Sequence, residues 1–302
     1  MSGLDDLFRK EASTPSSTDH TDQSFNKEAW VQKKQELRQW TYDTIDTATL
    51  QVAQSGEAFQ RYLDVQSRFD RYSVSNALLI LAQKPEATRI GDFESWKEQG
   101  VFIRRKETGF YILEPGESYQ REDGSTAISY NPKKMFDISQ TTAPQKQDQS
   151  FLPDERTRIK ALIERAPVPI AMSDSLPQEM HALYQPDTRS IIIRRGLDAG
   201  DIFRALAQEL AYAELDTGSK EYKRSESSFH AYCAAYMLSK QFGFTTSSFS
   251  FQRAPELLGQ MEPQQLRAEL TRTREAVQPS IVRMNRQLSQ QQRQARLTEP
   301  TR

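Results

Sequence analysis

Apolar positions follow two rhythms in turn along the chain. From Lys27 they recur at helical spacing, through Trp30, Val31, Leu37, Trp40, Ile45 and Leu50. After a break at Ser55-Gly56 the spacing resumes with Phe59, Tyr62, Leu63, Val65 and Phe69, ending near Tyr72. Ser73 or Ser75 suits the N-cap of a third helix, Asn76 to Gln83, which Pro85 stops. Phe93 to Gln99 predicts a fourth, closed by Gly100. Past Gly100 the period drops to two. Val101–Ile103 and Phe110–Leu113 read as strands joined by the charged turn Arg104 to Gly109. Glu114-Pro115-Gly116 reads as a turn, and Glu122-Asp123-Gly124 as a hairpin turn leading into Ala127–Tyr130. Lys133–Ile138 completes the pattern as an edge strand.

Residues 139–153 have the composition of a linker, with the boundary set at 141–153. A second patterned region follows: a helix from Asp154 to Arg165, an extended Val168–Ile170, and a hairpin of Ala182–Tyr184 with Ser190–Arg194. Then comes a helix from Asp201 to Asp216, with Ile202, Leu206, Leu210 and Ala213 on one face. Further helices are expected over Ser225–Gln241, closed by Gly243, and Pro255–Arg274. The fold class is therefore α+β. A helical unit with a small antiparallel sheet spans 26–140, and a second α+β unit spans 154–260. A basic, Gln-rich stretch at 261–302 is a helical extension or frayed, and the Ser-, Thr- and Asp-rich residues 1–25 are expected to be disordered.

Composition narrows the function classes. Forty basic residues against 41 acidic ones leave a net charge of −1, so nucleic-acid binding needs a local basic face. The same balance argues against an acidic decoy of DNA. One cysteine, Cys233, rules out an internal disulfide and a cysteine-rich zinc site; mid-helix, it reads as a small buried hydrophobe. No apolar run is long enough for a membrane span, and the N-terminus lacks the pattern of a secretory signal, so a cytoplasmic protein is expected.

Two stretches carry chemistry. Between Arg68 and Lys134, basic and aromatic residues interleave, with two amides among them: Arg68, Arg71, Tyr72, Asn76, Gln83, Trp96, Lys97, Arg104, Arg105, Lys106, Tyr111, Tyr130, Lys133 and Lys134. Single-strand binders combine a cationic track for phosphates with aromatic faces for bases. Asn76 and Gln83 would reach sugars or base edges. Against this, Trp96 and Tyr72 also fit core packing, whereas three adjacent cations at Arg104-Arg105-Lys106 serve no core. The other stretch is Gln208-Glu209-Leu210-Ala211-Tyr212, the frame of a His-Glu-x-x-His zinc helix with both histidines replaced.

The order of short motifs in the first half, Tyr72-Ser-x-Ser-Asn76-Ala-Leu-Leu79, Pro85-x-Ala-Thr88, Phe93-x-x-Trp96, Gly100-Val101 and Arg105-Lys106-Glu107-x-Gly109, resembles the N-terminal domain of the ArdC antirestriction family. Tyr62–Gln66, Ile112–Gly116 and Phe136–Gln140 resemble the LtrC-like proteins of conjugative elements. The resemblance implies a single-stranded-DNA-binding domain joined to a zincin-like domain. It strengthens the reading of the interleaved residues Arg68, Arg71, Tyr72, Asn76, Trp96, Arg104, Arg105, Lys106, Lys133 and Lys134 as nucleic-acid contacts. In the family turn, Lys-Gly-Glu-Lys-Gly, Lys106 here takes the first glycine position and Thr108 the second lysine. In the second half, Gln208 and Tyr212 hold the histidine positions and Tyr232 the place of the acidic third ligand. The resemblance thus implies a zincin-like domain with no metal, no cofactor and no catalytic residue. Two alternatives stay open: a metallopeptidase whose ligands are rebuilt from Glu209, Glu226 and His230, and a scaffold for proteins of the conjugation or restriction machinery.

Overall fold

The computed structural model describes residues 27–144, 152–219 and 222–298. The N-terminus expected to be disordered, and most of the expected linker, lie outside the described residues. The chain divides into two compact units, Met1–Leu37 and Arg38–Arg302. In the first, the described residues are the start of helix α1 (Lys27–Val52), where Trp30 and Val31 are exposed.

Local chemistry sets the ends of the next elements. Helices α2 (Gly56–Arg68) and α3 (Val74–Gln83) begin at serines whose hydroxyls accept amide protons, Ser55 from Ala58 and Ser73 from Asn76. Asp92 caps α4 (Phe93–Glu98) in the same way. An antiparallel sheet of β1 (Ile90–Gly91), β2 (Phe110–Gln120) and β3 (Thr126–Asp137) has the order β1-β3-β2. Gly124, at φ 79°, turns the β2–β3 hairpin as its sequence predicts.

Three expectations change in this sheet, the first being that Lys133–Ile138 is no edge strand: residues 133–137 end the central strand β3, paired with both β1 and β2. Glu114-Pro115-Gly116 is not a turn, because β2 continues through it with a register shift between Pro115 and Ser118. Proline has no amide proton for the ladder, so it sits where the ladder breaks. Val101–Ile103 does not pair with β2 either. Ile103 bridges Thr141, and the Thr142 amide donates to the Phe102 carbonyl at 2.8 Å. The alternating pattern identifies extended backbone but not its partner.

The second half contains α5 (Glu155–Ile163), β4 (Ile170–Ser173), β5 (Ala182–Gln185), β6 (Ser190–Arg194), α6 (Ala199–Leu215), α7 (Arg224–Gln241), α8 (Ala254–Leu258) and α9 (Pro263–Thr298). Its sheet order is β4-β6-β5, with β4 parallel and β5 antiparallel to β6. Asp198 caps α6, accepting from the Asp201 amide. The helix expected over Pro255–Arg274 is two helices, with Pro263 opening the second in a position its fixed φ favours.

That second helix, α9, runs for 36 residues and is not a frayed tail. Leu270, Val277, Ile281 and Met284 are buried along it, and it packs against α7, α5, α6 and α3.

One hydrophobic cluster takes in Leu63 and Leu78 from the first half, Leu210 and Met237 from the second, and Ile281 from α9. The Phe59 ring lies 5.3 Å from that of Phe229 and 5.5 Å from that of Phe251. Gly56 permits this approach, since a Cβ there would stand 2.8 Å from the Phe251 backbone. Polar ties follow the same seam. Tyr236 donates to Asp64 at 2.7 Å, and Arg274 donates to the Tyr72 and Asp70 carbonyls at 2.9 and 3.2 Å. Segments 26–140 and 154–260 therefore share a core. Among the described residues no helix is long and apolar enough to cross a membrane.

Candidate nucleic-acid face and the Glu209 pocket

The polar residues predicted to contact nucleic acid part into two groups. Asn76 is buried, and its carboxamide donates to the Leu113 carbonyl at 2.9 Å and accepts the Leu113 amide at 2.7 Å. Gln83, two turns along α3, makes the same pair of bonds with Tyr111, both at 2.8 Å. These amides close the edge of β2 that faces away from β3, and burial keeps the rest of the Asn76 amide out of solvent. Trp96 is likewise enclosed, 1% exposed, with its indole N–H donated to the Phe136 carbonyl at 3.0 Å. Both side chains hold the sheet rather than facing solvent.

Lys133 keeps its charge but not its freedom. It pairs with Asp92 at 2.8 Å and Glu114 at 2.7 Å, which raises its own pKa and, with the Ser95 bonds, takes that of Asp92 down to about 2. Arg68 donates to the Pro85 carbonyl. Arg104 is tied to Glu107 at 3.2 Å and to the Ser139 carbonyl. Tyr72 is half-buried edge-on against Phe69, at 5.8 Å, and burial raises its phenol pKa.

Arg71, Arg105, Lys106 and Lys134 form the other group. All four are exposed, and none has an ion-pair partner among the described residues. Lys134 lies 6.0 Å from the centre of the Tyr111 ring. Lys106 sits at φ 69°, the left-handed region that favours glycine, at the position where the resembling turn has one.

In the second half, Glu209 is 4% exposed on α6 and both its carboxylate oxygens are engaged. Arg224 grips it with two bonds, of 2.7 and 2.6 Å, and the Tyr184 amide of β5 donates to it at 2.6 Å. The same guanidinium lies 3.6 Å from the centre of the Tyr212 ring. Burial opposes the charge on Arg224, but the bonds to Glu209 outweigh it and its pKa rises. Tyr212 is pushed up by burial, so its phenol is protonated at neutral pH. The cation beside the glutamate and second histidine positions of the zinc frame is thus an arginine of the chain itself.

The residues present do not fit a metal. Gln208 is a neutral amide and Tyr212 a protonated phenol, and the Tyr232 hydroxyl accepts the Ser250 amide at 2.8 Å. Glu226 pairs with Lys223 at 3.0 Å, while His230 bonds Glu269 at 3.0 Å and Thr273 at 2.9 Å on α9. The alternative trio of Glu209, Glu226 and His230 is therefore divided among three different partners. Among the described residues no three His, Cys, Asp or Glu side chains stand together as a metal site. Cys233 is fully buried, which raises its thiol pKa. Gln208, Tyr212 and Tyr232 instead line a cleft of about 670 Å³, walled by Phe229 and Phe251.

Arg224 escaped the sequence reading, although a signal was present. Lys223-Arg224 opens a helix, the end where the macrodipole disfavours cations, so a partner acid was to be sought.

No protein-family model and no curated protein matches the chain. Among solved structures it is similar to the antirestriction ArdC protein from the R388 plasmid. Against the metal-free structure the identity is 17% and the TM-score 0.48, covering 71% of this chain and 86% of that one. Against the Mn(II)-bound structure the values are 18% and 0.47, covering 72% and 84%.

Proposed function

We propose that the chain is a single-stranded-DNA-binding protein of a mobile element, with an antirestriction-like role in protecting or handling transferred DNA, and that it is not an enzyme. The observation that carries the reading is the set of exposed cations, Arg71, Arg105, Lys106 and Lys134, which lack acidic partners among the described residues. In a chain of net charge −1, phosphate binding requires a local basic face, and these four cations are the residues that would supply it. The sequence resemblance to single-strand-binding domains of conjugative elements supports the same reading. The second half keeps Glu209 neutralised by Arg224, which leaves that carboxylate without the role of a metal-assisted base.

The test is a titration with single- and double-stranded oligonucleotides across a salt series. Four phosphate contacts predict a log–log salt slope of about −3 on single strands. Arg105→Ala with Lys106→Ala lowers that slope by about 1.4 and weakens all sequences alike. Unchanged affinity of this double variant at low salt would remove the site. Equal or tighter binding to duplex would remove the single-strand reading.

A further inference from the structure

We infer that Phe102 is a base-stacking residue of the single-strand face, held beside the Arg104-Arg105-Lys106 turn; this rests on the proposed single-strand binding. Phe102 is 58% exposed, more than any other large apolar side chain reported among the described residues. An isolated exposed apolar side chain needs no explanation, but this one stands on fixed backbone. The Val101 amide donates to the Trp96 carbonyl at 2.9 Å, and the Phe102 amide to the Thr142 hydroxyl at 3.0 Å. The Thr142 amide returns a bond to the Phe102 carbonyl at 2.8 Å, and the Arg104 amide donates to the Gln140 carbonyl at 3.0 Å.

The bridge between Ile103 and Thr141 makes this segment extended, so its side chains alternate. Ile103 turns inward and is half-buried, while Phe102 and Arg104 project on the opposite side, about 7 Å apart along the strand. The next two residues are the free cations Arg105 and Lys106. An aromatic face on fixed backbone, three residues before two exposed cations with no ion-pair partner among the described residues, is the pairing that holds a base and its neighbouring phosphates. Trp96 is enclosed; of the rings offered to solvent in this region, Phe93, Phe102, Tyr119 and Tyr130, Phe102 is the most exposed and lies nearest in sequence to the Arg104-Arg105-Lys106 turn.

Two oligonucleotides of equal length separate stacking from phosphate contact: oligothymidylate and an abasic strand with the same number of phosphates. The wild-type protein binds oligothymidylate at least about tenfold more tightly. Phe102→Ala lowers affinity for oligothymidylate by a similar factor, leaving the abasic affinity and the salt slope unchanged. Phe102→Trp retains binding, and its fluorescence is quenched by oligothymidylate but not by the abasic strand. Equal affinity of the wild type for both strands, or no loss in Phe102→Ala, overturns the stacking role while leaving phosphate binding in place. Failure of the wild type to bind either strand overturns the single-strand reading and this inference with it.

Discussion

Asn76 and Leu113 exchange two hydrogen bonds, the side-chain amide of one serving as an artificial neighbouring strand for the backbone of the other. Removing that amide leaves a buried N–H and a buried carbonyl without partners. Asn76→Ala should therefore cost about 1–3 kcal/mol in urea unfolding. Asn76→Asp should cost at least as much, because it retains the acceptor, loses the donor and buries a charge. Single-strand affinity measured well below the unfolding midpoint should stay at the wild-type level. A selective loss of affinity in a stable Asn76→Ala protein would return this residue to the nucleic-acid face.

Arg224→Ala strands a carboxylate whose side chain is only 6% exposed, with the Tyr184 amide as its remaining donor. Breaking a buried pair from one side costs about 3–5 kcal/mol, and the partial exposure of Arg224 puts the expected loss at the low end. Adding Glu209→Gln should recover part of it, since the uncompensated charge is then gone. The wild-type melting temperature should not respond to a chelator. A chelator-induced drop, or an Arg224→Ala loss below about 0.5 kcal/mol, would show that this guanidinium is not the cation the pocket depends on.

Lys106 offers a way to separate shape from charge. A left-handed conformation costs a non-glycine residue about 1–2 kcal/mol, so Lys106→Gly should stabilise the fold by up to that amount. The same change removes a phosphate contact, and the salt slope should fall by about 0.7. Stability and affinity should thus move in opposite directions. A variant that loses both would mean that the lysine side chain holds the turn together.

His230 makes stability depend on pH. Burial lowers its pKa below the ordinary 6.5; Glu269 opposes the shift and Arg272 reinforces it. Between the two pKa values the unfolded chain binds a proton that the folded chain resists. The contribution is complete above pH 6.5 and declines as the pH falls through that value toward the folded pKa. The urea midpoint of the wild type should drop between about pH 7.5 and about pH 5.5 by more than that of His230→Gln. Parallel profiles for the two proteins would count against the assignment.

Local signals were readable in the sequence wherever one residue decides the outcome. Ser73 caps the helix it was expected to open, and Gly124 turns its hairpin. Pairings across the fold were not readable. Nothing in Val101–Ile103 names Thr141 as its neighbour, and nothing in Glu209 names Arg224, because those choices are made by contacts distant in sequence. Amides and aromatics were the least legible residues of the candidate face. Asn76 and Trp96 have the chemistry of a base contact and equally that of a backbone tie, and only burial separates the two uses. The cations divide in the same way: Arg68 and Arg104, though exposed, tie backbone carbonyls, while Arg71, Arg105, Lys106 and Lys134 have no ion-pair partner among the described residues.

Helix α9 also governs the order of synthesis. It packs against α3 in the first half and against α5, α6 and α7 in the second, so a nascent chain that ends before α9 leaves apolar surface on all four uncovered. Domains made early on the ribosome ordinarily close as they emerge. Here the shared core is completed only when residues near 281 have left the ribosome.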